Sequence, residues 1–298
     1  MSESKSKKRR YKRKYKQIPV ELSKQDFNEF VLPHLSISAL GRKPKISFFK
    51  LFNYIMYVLH TGCQWSALEK VIDKNKEGKC ELDYTNVFRW FQRWSSDDSW
   101  SLVFINTVKR LLLNNKLDLS ILHGDGTSVM AKKGGDALGF NGHKHFKGEK
   151  TVAICDRNCN VISPFTTAAG NRNESPLFVE AFASLKKVAK SIGTTIKGSI
   201  MSLDGAYDSR QNRKLIFNSE MTPNIPENKR NRKKPKSGPK RIYDASIYQE
   251  RFRTIERVFA WEDKFKRALI RFEHKSKNYL GFKLLAYSMI NLRHFVAA

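Results

Sequence analysis

The apolar periodicity of this 298-residue chain changes at Asp118, and that change limits the folds open to it. From Ser23 to about Leu113 apolar residues recur every three or four positions, as on helices with one buried face. Phe48, Leu51, Phe52, Ile55, Met56 and Leu59 form one such face, and Thr61-Gly62 is a plausible stop. Val87, Trp90, Phe91 and Trp94 form a second, and Leu102, Val103, Ile105, Val108 and Leu111 to Leu113 a third. Beyond Asp118 the pattern predicts strands over 119–132, 150–156 and 161–168, the last two joined by a turn at 157–160. A helix over 176–192, a strand over 198–203, a helix over 209–217 and a strand over 221–225 follow. A connection over 227–243 then leads into a helix over 246–272. The order β-β-β-α-β-α-β-loop-α predicts an α/β domain behind a small all-α domain.

Charge narrows the partners. Lys and Arg outnumber Asp and Glu by 56 to 28, a formal net charge of +28. A folded chain so basic is matched to a polyanion, nucleic acid or an anionic membrane surface. The longest run without Lys, Arg, Asp or Glu, 51–68, is too short and too polar to span a bilayer, so no membrane role is expected. The N-terminus has no apolar stretch of a signal peptide, which predicts a cytoplasmic, nucleoid-associated protein. Residues 1–16 carry nine Lys/Arg and one Glu, and residues 229–241 carry eight Lys/Arg and no acid. The division expected is a disordered basic arm over 1–22, a helical DNA-binding domain over 23–116 and an α/β domain over 117–298 with a basic loop at 227–243. Arg42, Lys43, Lys45, Arg89 and Arg93 could line a DNA surface in helix-turn-helix style, or could be the ordinary charges of a scaffold bundle.

Four cysteines, Cys63, Cys80, Cys155 and Cys159, read as free thiols. A zinc site from Cys155, Cys159, His143 and His145 can be drawn, but it lacks the C-x2-C spacing of structural sites.

Two carboxylates stand where α/β sheets gather ligands. Asp125 lies between glycines, which let a ligand approach the backbone closely, although Asp-Gly is also a common turn pair. Asp204 ends the fourth predicted strand before a helix, a position that suits a helix cap as well as a catalyst. A third acid, Glu256, falls on the last predicted helix, where Arg253, Glu256, Ala260, Asp263 and Arg267 would share one side. Three acids can hold two divalent cations about 4 Å apart for in-line displacement at a phosphodiester, and hard oxygen ligands select magnesium.

This order of elements, with Asp on the first strand, Asp after the fourth and Glu on the following helix, resembles the RNase H-like catalytic core of DDE transposases. Gly-Arg-Lys-Pro at 41–44, the stretch at 54–65 and Arg93-Trp94 followed by Trp100 are similar to the N-terminal domain of insertion-sequence transposases, in the bacterial branch usually numbered four and five. So are Asp-Gly-Thr at 125–127, Gly-Asn-Arg-Asn-Glu-Ser at 170–175, Asp-Gly-Ala-Tyr-Asp at 204–208 and Ile-Glu-Arg-Val-Phe-Ala-Trp at 255–261. The resemblance covers about residues 23 to 295 and implies an RNase H-like mixed sheet flanked by helices. It implies binding of double-stranded DNA, both the inverted repeats at the element's ends and the target, followed by cleavage and joining, in a homo-oligomeric complex. Two Mg²⁺ ions, replaceable by Mn²⁺, would sit on Asp125, Asp204 and Glu256. The family's last motif, Tyr-x2-Arg-x3-Glu-x6-Lys, appears here as Tyr248-x2-Arg251 with Glu256 and Lys264 each one residue late. A one-residue shift turns a side chain by about 100° on a helix, which makes Arg253 the better expected neighbour of Glu256 than Arg251. His143, Lys144, His145 and Lys147, between the first two strands, are expected on DNA phosphates or in solvent. Two other readings stay open: a DNA-binding descendant that has lost catalysis, and a nuclease that cuts without joining.

Overall fold

The computed structural model describes residues 16–37, 44–228 and 241–296. Arg42, Lys43, most of the N-terminal arm and residues 229–240 of the basic loop lie outside the described residues.

The N-terminal helices begin and end where local chemistry directs. Helix α1 (Lys24–Phe30) is capped by Ser23, whose hydroxyl accepts from the Asp26 amide. Helix α2 (Phe48–Thr61) is capped by Ser47 and stops at Gly62, whose φ of 71° is open to glycine at little cost. Helices α3 (Tyr84–Ser96) and α4 (Ser99–Leu113) complete the group. Trp94 and Trp100 are fully buried, while Trp65 and Trp90 pack partly exposed against the same core. The Phe91 ring stacks on Phe282 at 4.2 Å, so the helical region and the C-terminal part share one hydrophobic cluster reaching from Ile18 to Val296.

The sheet is mixed, as the RNase H-like resemblance implied. Strand β1 (Ile121–Met130) pairs antiparallel with β3 (Phe146–Asp156), Asp125 standing opposite Ala153. Strand β4 (Val161–Ala169) and the short β2 (Gly139–Asn141) both pair antiparallel with β3. Strand β5 (Ile200–Ser202) runs parallel to β1, and β6 (Thr222–Asn224) parallel to β5. Helix α5 (Glu174–Ser191) lies against β4 and β3, and α6 (Arg210–Phe217) links β5 to β6. At three residues, β2 is too short to carry an alternation, and the sequence predicts no strand there.

The C-terminal region differs most from expectation. In place of one helix over 246–272 there are α7 (Ala245–Glu250), a 3₁₀ turn (Arg251–Arg253), α8 (Ile255–Glu262) and α9 (Lys266–Leu269). The first break is at Thr254, with φ −119° and ψ −89°, where the hydroxyl donates to the Glu250 carbonyl at 2.9 Å and competes with the helix ladder. A second falls at Phe265, with φ −98° and ψ 86°. The single face proposed for Arg253, Glu256, Ala260, Asp263 and Arg267 therefore does not exist. Helix α10 (Ser276–Leu292), absent from the sequence reading, is buried on nearly every side against α3, α4, α8 and β4, so it shows no amphipathic stripe.

Buried ion pairs tie these pieces together. Arg271, fully buried, reaches Glu149 at 2.5 Å and Asp136 at 2.7 Å, and donates to the carbonyls of Glu273 and His274. Ser276 donates to the second Glu149 oxygen at 2.6 Å, bringing the start of α10 to β3. Arg267 pairs with Glu273 at 2.7 Å and donates to the Cys63 carbonyl beyond α2. Burial pushes the Glu149 carboxyl above its ordinary range, against the hydrogen bond from Ser276 and the charge of Arg271.

Candidate active site

Strand register brings two of the predicted acids level. Strands β1 and β5 pair Ile121 with Ile200, Leu122 with Met201 and His123 with Ser202. Asp125 and Asp204 each stand two residues past the last pair, His123 and Ser202, and the Leu203 side chain reaches Gly124. Glycine at 124 answers a local need, because a Cβ there would meet Leu203 Cδ2 at 2.6 Å. Asp204 also serves as a cap: its Oδ1 accepts from the Ala206 amide at 2.7 Å and starts a 3₁₀ turn over Gly205–Tyr207.

Asp125 has a cation as its nearest charge. The Arg251 guanidinium, almost wholly buried, places Nη2 2.9 Å from Asp125 Oδ2 and 3.4 Å from the Gly124 carbonyl oxygen. Its carbon lies 5.4 Å from the centre of the Tyr248 ring, a cation–π contact. Tyr248 and Arg251 of the expected motif thus meet at the first acid. The tightening of the chain into the 3₁₀ turn at 251 turns Arg251 inward and leaves Arg253 exposed. Burial drives the Asp125 carboxyl up to about 6, Arg251 and the Gly126 amide oppose that, and the charges of Asp204 and Glu174 add to it. His123, two residues earlier and fully buried, is pushed down to about 4 by burial and by the charges of Arg251 and Arg157.

Glu174 was given no role by the sequence beyond its place in the motif at 170–175. It opens α5 behind the Asn173 cap, and its Oε1 lies 3.2 Å from the ammonium of the mostly buried Lys150. A Cβ at Gly126 would stand 2.8 Å from the Glu174 carboxyl carbon and 3.0 Å from the Tyr207 hydroxyl. Tyr207 is fully buried, and among the described residues its hydroxyl has no hydrogen-bond partner. Its phenol is held well above the ordinary range by burial and by the charges of Glu174, Asp125 and Asp204.

The other predicted residues are dispersed. Glu256 is exposed in the first turn of α8, a helix that packs on β1 and β3. Lys264 donates from Nζ to the Ile18 carbonyl at 2.5 Å. His143, Lys144, His145 and Lys147 are exposed around the β2–β3 turn, which Asn141 fastens by accepting from the His143 and Lys144 amides. Arg93 lies over Trp90 at 5.1 Å and 3.9 Å from Asp97. The cysteines are free thiols, with Cys155 buried on β3 and both histidines of the imagined zinc site exposed.

As donors, Asp125, Asp204 and Glu174 are hard oxygens that suit magnesium or manganese. Arg251 and Lys150 each take an oxygen that an ion would need. Among the described residues no three His, Cys, Asp or Glu side chains come together closely enough to enclose a metal ion. In donor chemistry alone these oxygens suit such an ion.

The family model described as Transposase DDE domain matches residues 117–289, more than half of the chain. No curated protein matches it. Among solved structures, a piggyBac transposase synaptic complex with hairpin DNA is 11% identical, covering 92% of this chain and 71% of that one at a TM-score of 0.44. The catalytic domain of Mos1 mariner transposase is 11% identical over 68% of this chain and 91% of that one, TM-score 0.28. A Mos1 transposase paired-end complex with left transposon end is 11% identical over 63% and 61%, TM-score 0.25. These distant likenesses add nothing to the family match. Among the described residues no helix is long and apolar enough to cross a membrane.

Proposed function

The chain belongs to the transposase DDE domain family and is a transposase; from that premise we propose that it binds the terminal inverted repeats of an insertion sequence, as a homo-oligomer, and cuts and joins DNA strands by phosphoryl transfer. The observation that carries this reading is that Asp125 on β1 and Asp204 just after the parallel strand β5 each follow the last pair of the two strands by two residues, in a chain of net charge +28. Asp125, Asp204 and Glu256 are the residues proposed to hold metal. Two divalent cations bound there would activate the attacking oxygen and stabilise the leaving one.

The chain's own residues do the rest. Asp125 is fixed by its pairing with Ala153 and Asp204 by its cap at Ala206, so little freedom is lost when they bind. Arg251 keeps a positive charge in a poorly solvated place beside Asp125, where it can meet a phosphate oxygen once that carboxylate is otherwise engaged. Arg253, Arg93, His143, Lys144, His145, Lys147 and Lys264, with Arg42 and Lys43, are proposed as DNA contacts. Lys264 must first exchange its bond to Ile18 for one to phosphate.

The test is to incubate the full chain with Mg²⁺ and DNA carrying the element's ends. Cut and joined products, lost on adding a chelator, are expected. Cutting without joining favours the nuclease, and binding alone favours the non-catalytic descendant.

The basic loop is proposed to clamp DNA beside the site. Arg241 pairs with Asp208 and lies 3.7 Å from Glu227, so the test replaces the other seven Lys/Arg of the loop, those of 229–240. Replacing those seven with glutamine should flatten the salt dependence of DNA binding by about 6 units of log–log slope if each meets one phosphate. An unchanged slope defeats the clamp.

A further inference from the structure

Resting on the reading of Arg251 as the cation that meets a phosphate oxygen, we infer that Arg157 is a positioning residue for it, acting through Glu250 and the segment 250–253. Arg251 is poorly tied by its own bonds. Its Nη2 reaches Asp125 at 2.9 Å and the Gly124 carbonyl at only 3.4 Å, and its buried Nε has no partner among the described residues. Once Asp125 is otherwise engaged, the guanidinium keeps the long bond to Gly124 and the Tyr248 ring, so its place must come from the backbone that carries it.

The turn between β3 and β4 grips that backbone on both sides of Arg251. On one side the Arg157 guanidinium forks onto the Glu250 carboxylate, Nε to Oε2 at 2.9 Å and Nη2 to Oε1 at 2.5 Å. A planar fork meets a carboxylate at two points and fixes direction as well as distance. On the other side the Cys159 thiol donates to the Arg253 carbonyl at 3.3 Å. The His123 imidazole, 3.8 Å from Glu250 Oε2, is beyond hydrogen-bond reach, so the fork is the tie. The turn is itself anchored: the Asn158 amide group donates to the Lys116 carbonyl at 3.0 Å, and the Asn158 carbonyl accepts from Arg293 at 2.8 Å. An ion pair as exposed as Arg157 and Glu250 adds little to stability, which leaves geometry as what it supplies.

Single-turnover strand cleavage by the full chain, with Mg²⁺ and saturating DNA carrying the element's ends, tests this alongside melting temperature and DNA affinity. Arg251→Gln should slow cleavage about a hundredfold. Arg157→Gln and Glu250→Gln should each slow it about tenfold, the scale of a small misplacement, with melting temperatures within about 3 °C of wild type. Glu250→Gln separates positioning from charge, because removing a negative charge strengthens DNA binding by a basic protein, whereas releasing Arg251 slows the reaction. In the Arg251→Gln background, Arg157→Gln should slow cleavage by less than about threefold further, there being no guanidinium left to misplace. Wild-type cleavage by Glu250→Gln or by Arg157→Gln overturns the inference, and so does a full further loss of about tenfold in the double variant. If Arg251→Gln cleaves like wild type, the reading of Arg251 fails and the inference fails with it.

Discussion

Strand cleavage by the Asp125→Asn protein should fall by about a thousandfold or more, the scale attached to losing one preorganised group that stabilises charge in the transition state. The substitution keeps volume and shape but removes a charge at a place fixed by pairing with Ala153 and by a parallel neighbour two residues from Asp204. It also leaves Arg251 without its carboxylate in a site where that guanidinium is almost wholly buried. Some loss of stability should therefore accompany the loss of rate, and DNA binding is the control that separates them. Binding within a fewfold of wild type with cleavage reduced a thousandfold is the expected pair of results. Cleavage within tenfold of wild type by a folded Asp125→Asn protein would remove Asp125 from the mechanism.

Arg271→Met should destabilise the fold by about 3–5 kcal/mol, because it strands the Glu149 charge in a site without solvent. In a chain of this size that is on the order of 10 °C in melting temperature. The effect is conditional on the partner. Glu149→Gln together with Arg271→Met should recover a large part of the loss, since buried pairs cost most when only half is removed. A drop under about 2 °C in the single variant would show that the network around β3 and α10 does not hold the sheet to the C-terminal helices.

The mixed sheet was legible in sequence because each strand carried its own pattern and each turn its own residues, as the 157–160 turn between β3 and β4 illustrates. Asp125 and Asp204 were legible for a related reason: glycines and a strand end announce them locally. The neighbours of Glu174 were not, because its proximity to Gly126 arises from the packing of α5 on the sheet, which the motif at 170–175 does not reveal. The break at Thr254 was hidden because no glycine or proline marks it, and the buried Arg251 turns toward an acid over a hundred residues away. Helix α10 was missed because burial on every side erases the stripe that periodicity detects.

One anchoring point has a consequence for how this chain can vary. The buried Asp208 carboxylate accepts from the Asn228 amide at 3.0 Å and from Arg213 at 2.9 Å, and it also pairs with Arg241. Residues 228 and 241, with the twelve residues of 229–240 between them, thus meet at a single side chain. Asn224 and Asp244 brace the 241 side with reciprocal amide–carbonyl bonds of 2.8 and 3.0 Å. The two ends that flank 229–240 are therefore fastened to the sheet through one carboxylate. Loss of the Asp208 carboxylate would release both flanks at once, so a substitution at this one position acts on 228 and 241 together.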